Sequence, residues 1–175
     1  MEQMLNGSPP AQEHLAAIYA PVANELAEVD ALLRRELDSP DPLVSPLVQH
    51  AFRLGGKRLR PMLLLLTGQA TGELTPHHTT MAAVVEMIHT ATLVHDDVLD
   101  GASIRRHLPT IHARWDTSSS VLVGDYLFTH AFYLASTTGD ADACRMIGHA
   151  TNTVCEGEIR QVQHQGNLDL REDEY

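Results

Sequence analysis

The stretch EMIHTATLVHDDVLDGASIRRH, residues 86–107, is the most informative part of this sequence. Its apolar residues recur at helical spacing up to Gly101, a residue type that commonly follows the end of a helix. Asp96, Asp97 and Asp100 lie on the last turn, and residues four apart on a helix face the same way. Three carboxylates there repel one another, and negative charge is also unfavourable at the C-terminal end of a helix. The pattern therefore predicts a site that recruits positive charge.

A hard divalent cation suits these carboxylates. Mg²⁺ binds to proteins through one or two carboxylates and completes its coordination shell with waters and substrate phosphates. We therefore expect Asp96, Asp97 and Asp100 to be metal ligands. Arg105 and Arg106 follow within a few residues, and arginine forks together with Mg²⁺ hold diphosphates well. The alternatives are a solvated acidic helix end and surface salt bridges between the arginines and the aspartates.

A second cationic cluster stands earlier in the chain, in the stretch GGKRLRP from Gly55 to Pro61. Paired glycines let the backbone approach a ligand closely, and basic groups at a helix start can hold an anion together with the free N–H groups. The spacing of a nucleotide-binding P-loop is absent. The stretch predicts a second anion site, with a solvated basic turn as the alternative.

Helical periodicity extends over nearly the whole chain, and β-strand alternation is rare. Pro21 is expected to kink the first helix and Thr75 to cap the fourth, while residues 107–109 are predicted as loop. The predicted fold class is all-α, a single domain over residues 1–175 with a flexible segment at 1–10 and about six or seven helices. The predicted helices cover about 11–37, 43–54, 58–70, 75–100, 111–115, 118–136 and 141–165.

Composition limits the classes of function. The chain has 23 acidic and 12 basic side chains and a formal charge of −11, which argues against a nucleic-acid partner. Cys144 and Cys155 form neither a CxxC pair nor a disulfide framework, so free thiols in a reducing compartment are expected. No apolar run is long enough to span a membrane, and the N-terminus lacks the features of a signal peptide. These observations predict a soluble cytoplasmic protein.

Taken together, the motifs resemble those of the trans-type polyprenyl diphosphate synthases, enzymes that elongate isoprenyl chains. The similarity runs from about residue 45 to the end and follows the order and spacing of the family. It implies the isoprenoid-synthase-type helical bundle, of which this chain would form the N-terminal half. The matching stretches are GGKRLRP, EMIHTATLVHDDVLD at 86–100, RRHLPT at 105–110, VLVGDYLFTHAF at 121–132 and EGEIRQ at 156–161.

The resemblance implies a Mg²⁺-dependent prenyltransferase of isoprenoid biosynthesis that condenses an allylic diphosphate with isopentenyl diphosphate. Asp96, Asp97 and Asp100 would form the first aspartate-rich motif, DDxxD, and bind Mg²⁺ that bridges the allylic diphosphate. Arg105 would contact the same diphosphate, and these four residues would be the catalytic group. Because the allylic cation is attacked by the double bond of isopentenyl diphosphate, no side-chain nucleophile is expected.

Further residues are assigned to the second substrate and to the product. Ile88 and Thr92 precede Asp96 by two turns and one turn on its own face, so we expect them to line a chain-length cavity. The family uses the position of Ala91 as a chain-length gate, and this small residue favours a product longer than farnesyl. The residues expected to hold the diphosphate of isopentenyl diphosphate are Lys57, Arg60, His89 and Arg106.

Two departures from the family pattern qualify this function. No second DDxxD follows, so the chain alone is expected to be inactive or incomplete and to need a C-terminal half. His107 stands where the family usually has glycine. The expected partners are the two diphosphate substrates and either a second copy in a homodimer or a complementary half. The alternatives are one subunit of a split enzyme, a non-catalytic subunit of a heteromeric synthase, and a class I terpene cyclase, against which the second diphosphate site argues.

Overall fold

Helices dominate the structure, a computed structural model that describes residues 16–54 and 56–172. A 3₁₀ turn at Ala20–Val22 contains Pro21 and interrupts the first helix where a kink was expected. The all-α prediction is confirmed, and the predicted bounds of the later helices are correct to within a few residues. The helices are α1 (Ala23–Glu36), α2 (Ser45–Arg53), α3 (Leu59–Thr71), α4 (Pro76–Leu99), α5 (Ile111–Arg114), α6 (Thr117–Ser136) and α7 (Ala141–His164).

The helix starts explain why these segments form where they do. Thr75 is the N-cap of α4 as predicted, and its backbone N–H donates to His78 Nδ1 at 3.0 Å. Asp116 caps α6, because its carboxylate accepts from the backbone N–H of Ser119 at 2.7 Å. Asp140 caps α7 through the backbone N–H of Ala143 at 2.9 Å. Each cap satisfies a backbone donor that the first turn of a helix leaves without a partner.

A short hairpin corrects the prediction of loop at residues 107–109. Strands β1 (Ile104–Arg105) and β2 (Leu108–Pro109) pair antiparallel, with Arg105 opposite Leu108. Arg106 and His107 form the turn with φ of 49° and 66°, as a two-residue hairpin turn requires. Two-residue strands are too short to show periodicity, so the sequence alone could not reveal them. A positive φ also gives a physical reason for the glycine that the family usually carries at position 107.

Helix α4 is the centre of the core and contacts α1, α3 and α6. Ala83 and Ala91 of α4 and Ala131 and Ala135 of α6 are all fully buried. Such small side chains allow the two helices to approach closely and to pack at high density. Larger fully buried side chains fill the remaining space, among them Leu33, Leu65, Met87, Ile111 and Leu127.

Helices α4 and α6 pack closely at His95 and Gly124. A Cβ atom built on Gly124 would overlap the imidazole of His95, so glycine is needed for this approach. His95 Nε2 lies 3.2 Å from the carbonyl oxygen of Val121 and 3.5 Å from Asp125 Oδ1. His95 therefore joins α4 to α6 just before the aspartate motif.

The chain divides after Thr138 into two compact units. The first contains α1 to α6 and the hairpin, and the second contains α7. Helix α7 exposes the apolar side chains of Met146, Ile159 and Val162. The single domain over residues 1–175 stays a prediction, and the flexible segment predicted at 1–10 lies outside the described residues.

Two composition-based predictions can be compared with the structure. Cys144 and Cys155 are free cysteines, as the sequence predicted. Within the described part of the chain, no helix combines the length and the hydropathy needed to cross a membrane.

Replacing Gly124 tests the close packing of α4 on α6. We expect Gly124→Ala to lower the free energy of unfolding by about 1–3 kcal/mol, because the added methyl group overlaps the His95 imidazole. The matched control is Gly148→Ala in α7, where a Cβ would have no described atom within 4 Å. That change should raise the free energy of unfolding by about 0.5–1 kcal/mol, since alanine is the better helix former. Urea denaturation measures both, and a stabilised Gly124→Ala variant would contradict the packing.

Candidate active site

The three motif aspartates share the end of α4 but differ in environment. The backbone N–H of Asp100 donates to the carbonyl oxygen of Asp96 at 2.8 Å, so the helical turn is intact. Asp97 is 1% exposed, whereas Asp96 is half-buried and Asp100 is exposed. The carboxylates of Asp96 and Asp100 therefore lie at the accessible surface, and that of Asp97 lies in the interior.

Asp97 is held by an arginine of the motif itself. Arg105 Nε donates to Asp97 Oδ1 at 2.8 Å, and the two side chains are 24% and 2% exposed. A carboxylate buried to this degree requires a charged or hydrogen-bonding partner. The salt-bridge alternative from the sequence therefore describes this pair, except that the pair is buried rather than on the surface.

The segment after the motif is fixed on both sides of the hairpin. The backbone N–H of Ala102 donates to the carbonyl oxygen of Asp97 at 2.9 Å, and Thr110 Oγ1 donates to the carbonyl oxygen of Ala102 at 2.8 Å. On the other side, His50 Nε2 of α2 donates to the carbonyl oxygen of Pro109 at 2.7 Å. Sequence reasoning missed His50 and Thr110, because nothing local to either residue indicates a role.

Basic side chains gather around His89, seven residues before Asp96 on α4. The pKa of His89 is lowered from 6.5, first by burial of the imidazole and next by the positive charge of Arg60. Arg106 and Arg105 lower the pKa further, and the nearby carboxylate of Glu86 opposes them. Three of the arginines that the sequence singled out therefore act on the charge of His89.

Gly56, in the GGKRLRP stretch, makes room for the side chain of Arg106. A Cβ on Gly56 would lie 2.6 Å from Arg106 Nη1, so the guanidinium packs directly against the Gly56 backbone. Lys57, the next residue, is exposed, and its carbonyl oxygen accepts from Tyr19 Oη at 2.5 Å. Arg60 is also exposed. The two cationic stretches of the sequence thus meet at one surface.

Arg58 behaves differently from its basic neighbours. Its guanidinium pairs with Glu86 Oε1 at 2.8 Å and with Asp30 Oδ1 at 2.9 Å. Sequence reasoning missed this network, although Glu86 gives a signal as a lone carboxylate in the apolar run AAVVEMI. A buried carboxylate predicts a cationic partner, but the sequence does not say which one.

The expected chain-length residues lie on α4 as helical spacing requires. Ala91 is fully buried, whereas Ile88 and Thr92 are half-buried. Thr92 Oγ1 donates to the carbonyl oxygen of His89 at 2.8 Å, so its methyl group is the part left for other contacts. Their role in a cavity stays a prediction.

The aspartate turn suits an open cation site rather than a closed one. Among residues 16–54 and 56–172, no three His, Cys, Asp or Glu side chains are arranged to hold a metal ion. Asp97 is paired with Arg105, whereas Asp96 is half-buried and Asp100, one turn further on, is exposed. This donor set fits Mg²⁺, which accepts one or two carboxylates when waters and phosphates supply the remaining ligands.

The fold and the site together define a class of protein. An all-α bundle presents Asp96 and Asp100 at the end of one helix, and His89 on the same helix is faced by the positive charges of Arg60 and Arg106. Such an arrangement suits diphosphate ligands, one bridged by a divalent cation and one held by side chains.

Comparison with known proteins gives the family. The sequence model of polyprenyl synthetase matches residues 41–175, and the chain belongs to this family. An all-trans-nonaprenyl-diphosphate synthase of Rhodobacter capsulatus, described as geranyl-diphosphate specific, is 40% identical over 90% of this chain and 49% of its own length. The octaprenyl diphosphate synthase of Escherichia coli strain K12 is 36% identical over 93% of this chain and 50% of its own length.

Solved structures agree with the sequence comparison. A decaprenyl diphosphate synthase from Rhodobacter capsulatus superposes with a TM-score of 0.86 and 42% identity, over 91% of this chain and 49% of that one. A polyprenyl synthase from Caulobacter crescentus CB15, complexed with calcium and isoprenyl diphosphate, gives a TM-score of 0.86 and 35% identity, over 90% of this chain and 48% of that one. The fold is therefore the N-terminal half of the isoprenoid-synthase helical bundle, and the chain spans about half the length of the curated relatives it matches.

The buried Asp97–Arg105 pair makes the motif aspartates unequal in stability. We expect Asp97→Ala to lower the free energy of unfolding by about 2 kcal/mol, because Arg105 loses the partner of a buried ion pair. Asp100→Ala, at an exposed position of the same turn, should change it by less than about 0.5 kcal/mol. Equilibrium unfolding in urea compares the two variants, and equal losses would show that Asp97 is not held in the interior.

Proposed function

We propose that this chain supplies the substrate-binding half of a prenyltransferase that condenses an allylic diphosphate with isopentenyl diphosphate into a longer polyprenyl diphosphate. The observation that carries this proposal is the cationic surface around His89, placed on the same helix as the accessible aspartates. Family membership and the activities of the relatives named above support it.

In this proposal the side chains divide between the two diphosphates. Arg105, oriented by Asp97, faces the allylic diphosphate, and Asp96 and Asp100 hold the Mg²⁺ that accompanies it. When bound, Mg²⁺ neutralises the charge that builds up on the departing diphosphate. The group proposed for isopentenyl diphosphate consists of Lys57, Arg60, His89 and Arg106.

Asp97 takes a different role here from the one expected from the sequence. Its carboxylate is buried and paired, so it orients Arg105 instead of coordinating Mg²⁺. Catalysis then depends on holding two diphosphates in register and on the positive charge around them. A buried, oriented arginine loses little conformational entropy when the substrate arrives, which favours tight positioning.

The chain is proposed to act with a complementary C-terminal half, because it spans about half the length of its relatives. That half would supply the second group of aspartates, either in the same polypeptide or in another chain, and the complete protein would be a cytoplasmic homodimer. A non-catalytic subunit remains the alternative, and it has no use for the paired arginines and accessible aspartates described above.

The product is proposed to be longer than farnesyl diphosphate. The relatives named above are nonaprenyl, octaprenyl and decaprenyl diphosphate synthases. The part of α4 that carries Ile88, Ala91 and Thr92 has no aromatic residue. The side chain of Ala91 is small, and Ile88 and Thr92 are half-buried.

Diphosphate binding should be visible at His89. The pKa of this imidazole lies below 6.5 because it is buried and faces Arg60, Arg106 and Arg105. Inorganic diphosphate bound among these arginines offsets their charge, so the pKa of His89 should rise on binding, as NMR titration of the imidazole can measure. Arg60→Met should abolish the response, and Arg53→Met, which removes an exposed arginine of α2, should preserve it. An unchanged pKa in saturating diphosphate would contradict the proposed site.

Activity can be tested by completing the chain. We expect this chain, joined to the C-terminal half of the Rhodobacter capsulatus relative, to convert farnesyl and isopentenyl diphosphates with Mg²⁺ into products longer than farnesyl. The chain alone should give none. The double variant Asp96→Ala with Asp100→Ala removes both accessible carboxylates. Its turnover should fall by on the order of a hundredfold or more, as it does in other enzymes that lose a group stabilising charge in the transition state.

The outcomes of this assay separate the alternatives. Chromatography of the products measures their length, and Arg53→Met serves as the active control. A completed chain that binds inorganic diphosphate but makes no product would indicate the non-catalytic subunit. A product that stops at farnesyl, from geranyl and isopentenyl diphosphates, would contradict the proposed chain length.

A further inference from the structure

Arg58 has an unusual backbone for a residue in the middle of a binding stretch. It precedes the first residue of α3 with φ of 55° and ψ of 37°, the left-handed region that side chains other than glycine rarely adopt. No side-chain hydrogen bond caps the helix at this position. A conformation of this kind persists only where surrounding contacts hold it, and it often lies at a functional site.

The contacts that hold Arg58 come from three other helices. Its Nη1 pairs with Glu86 of α4 at 2.8 Å, and its Nε pairs with Asp30 of α1 at 2.9 Å. The guanidinium carbon also lies 5.9 Å from the ring centroid of Phe52 in α2. Arg58 is 22% exposed and Glu86 only 3%. We call Arg58, Glu86 and Asp30 the arginine clasp.

The arginine clasp joins the two parts of the cationic surface. Lys57 and Arg60, on either side of Arg58, are exposed at the start of α3. Glu86 lies one turn before His89 on α4, so both residues are on the same side of that helix. The left-handed backbone directs the Arg58 side chain inward while its neighbours remain outside. Arg58 therefore links the start of α3, beside Lys57 and Arg60, to the part of α4 that carries His89.

The charges argue against Arg58 itself as a ligand for an anion. Two carboxylates face its single positive charge, and one of them is almost fully buried. An arginine that turned toward a diphosphate would leave Glu86 buried and unpaired, which is strongly unfavourable. Lysine is a poor replacement, because Arg58 reaches Glu86 and Asp30 through two separate nitrogens of a rigid fork, whereas lysine has one ammonium nitrogen on a flexible chain.

We propose that Arg58 is a positioning residue, which fixes the start of α3 to α4 so that Lys57, Arg60 and His89 converge on one diphosphate. It acts without touching the ligand. This inference rests on the proposed function, since it assumes that the cationic surface binds diphosphate.

Four variants of the full 175-residue chain separate positioning from simple stability. Arg58→Met removes the clasp, and Arg58→Lys keeps the charge but not the fork. The double variant Arg58→Met with Glu86→Met removes both partners, so no unpaired charge stays buried. Arg53→Met is the matched control, an arginine five residues away on the exposed side of α2. Calorimetric titration with inorganic diphosphate measures affinity, and thermal unfolding measures stability.

We expect Arg58→Met and Arg58→Lys to weaken diphosphate binding about tenfold or more, while Arg53→Met changes it less than about twofold. The double variant should regain most of the thermal stability that Arg58→Met loses, yet bind diphosphate as weakly as the single variant. If affinity returns together with stability, or if Arg58→Lys binds as the wild type does, the inference is wrong.

A second measurement does not depend on any ligand. The backbone N–H of Met62, a buried residue of α3, donates to the carbonyl oxygen of Arg58 at 3.0 Å. In the double variant, hydrogen exchange at the Met62 amide should accelerate about tenfold, because the first turn of α3 is no longer fixed. Unchanged exchange would overturn the clasp. If the wild-type chain fails to bind diphosphate while the double variant still shows this acceleration, the proposed function is overturned and the clasp is supported.

Discussion

The ion pair between Asp97 and Arg105 is the interaction on which the rest of the site depends. The packing of α4 against its neighbours carries the Asp97 carboxylate into the interior, where it needs a cationic partner. Arg105 meets it only if the chain turns back immediately after α4, and the hairpin of β1 and β2 provides that turn. The same turn places Arg106 against the backbone of Gly56 and so brings the two cationic stretches together.

A second buried pair repeats this arrangement on the same helix. Glu86 and Asp97 are eleven residues apart, about three turns, so they lie on nearly the same face of α4. Each binds an arginine that stands beside exposed basic residues, Arg58 next to Lys57 and Arg105 next to Arg106. Buried ion pairs contribute little net stability after desolvation, but they have strict geometric requirements. In this protein they orient segments whose other arginines and lysines face outward.

The exposed groups and the buried pairs therefore have separate tasks. The buried carboxylates fix the backbone, and the accessible carboxylates and cations are left for ligands. The arginines near His89 belong to the second group, and their positive charge helps to lower the pKa of the His89 imidazole. Under the proposed function this division suits ligands of opposite charge, because carboxylates bind a divalent cation and arginines bind diphosphates. The chain spans about half the length of the curated relatives it matches.

The sequence by itself determined the helices, one of their caps and the motifs, because helical periodicity and turn residues act over a few positions. It predicted the all-α fold, Thr75 as a cap and the cationic and acidic stretches, and the motif order indicated the family. Only the tertiary structure decided that Asp97 is buried while Asp100 is exposed, and that Arg58 turns inward while Arg60 does not. Neighbouring helical residues point about 100° apart, so the identity of a side chain cannot tell which of them meets another helix. That choice depends on packing partners that are distant in the chain.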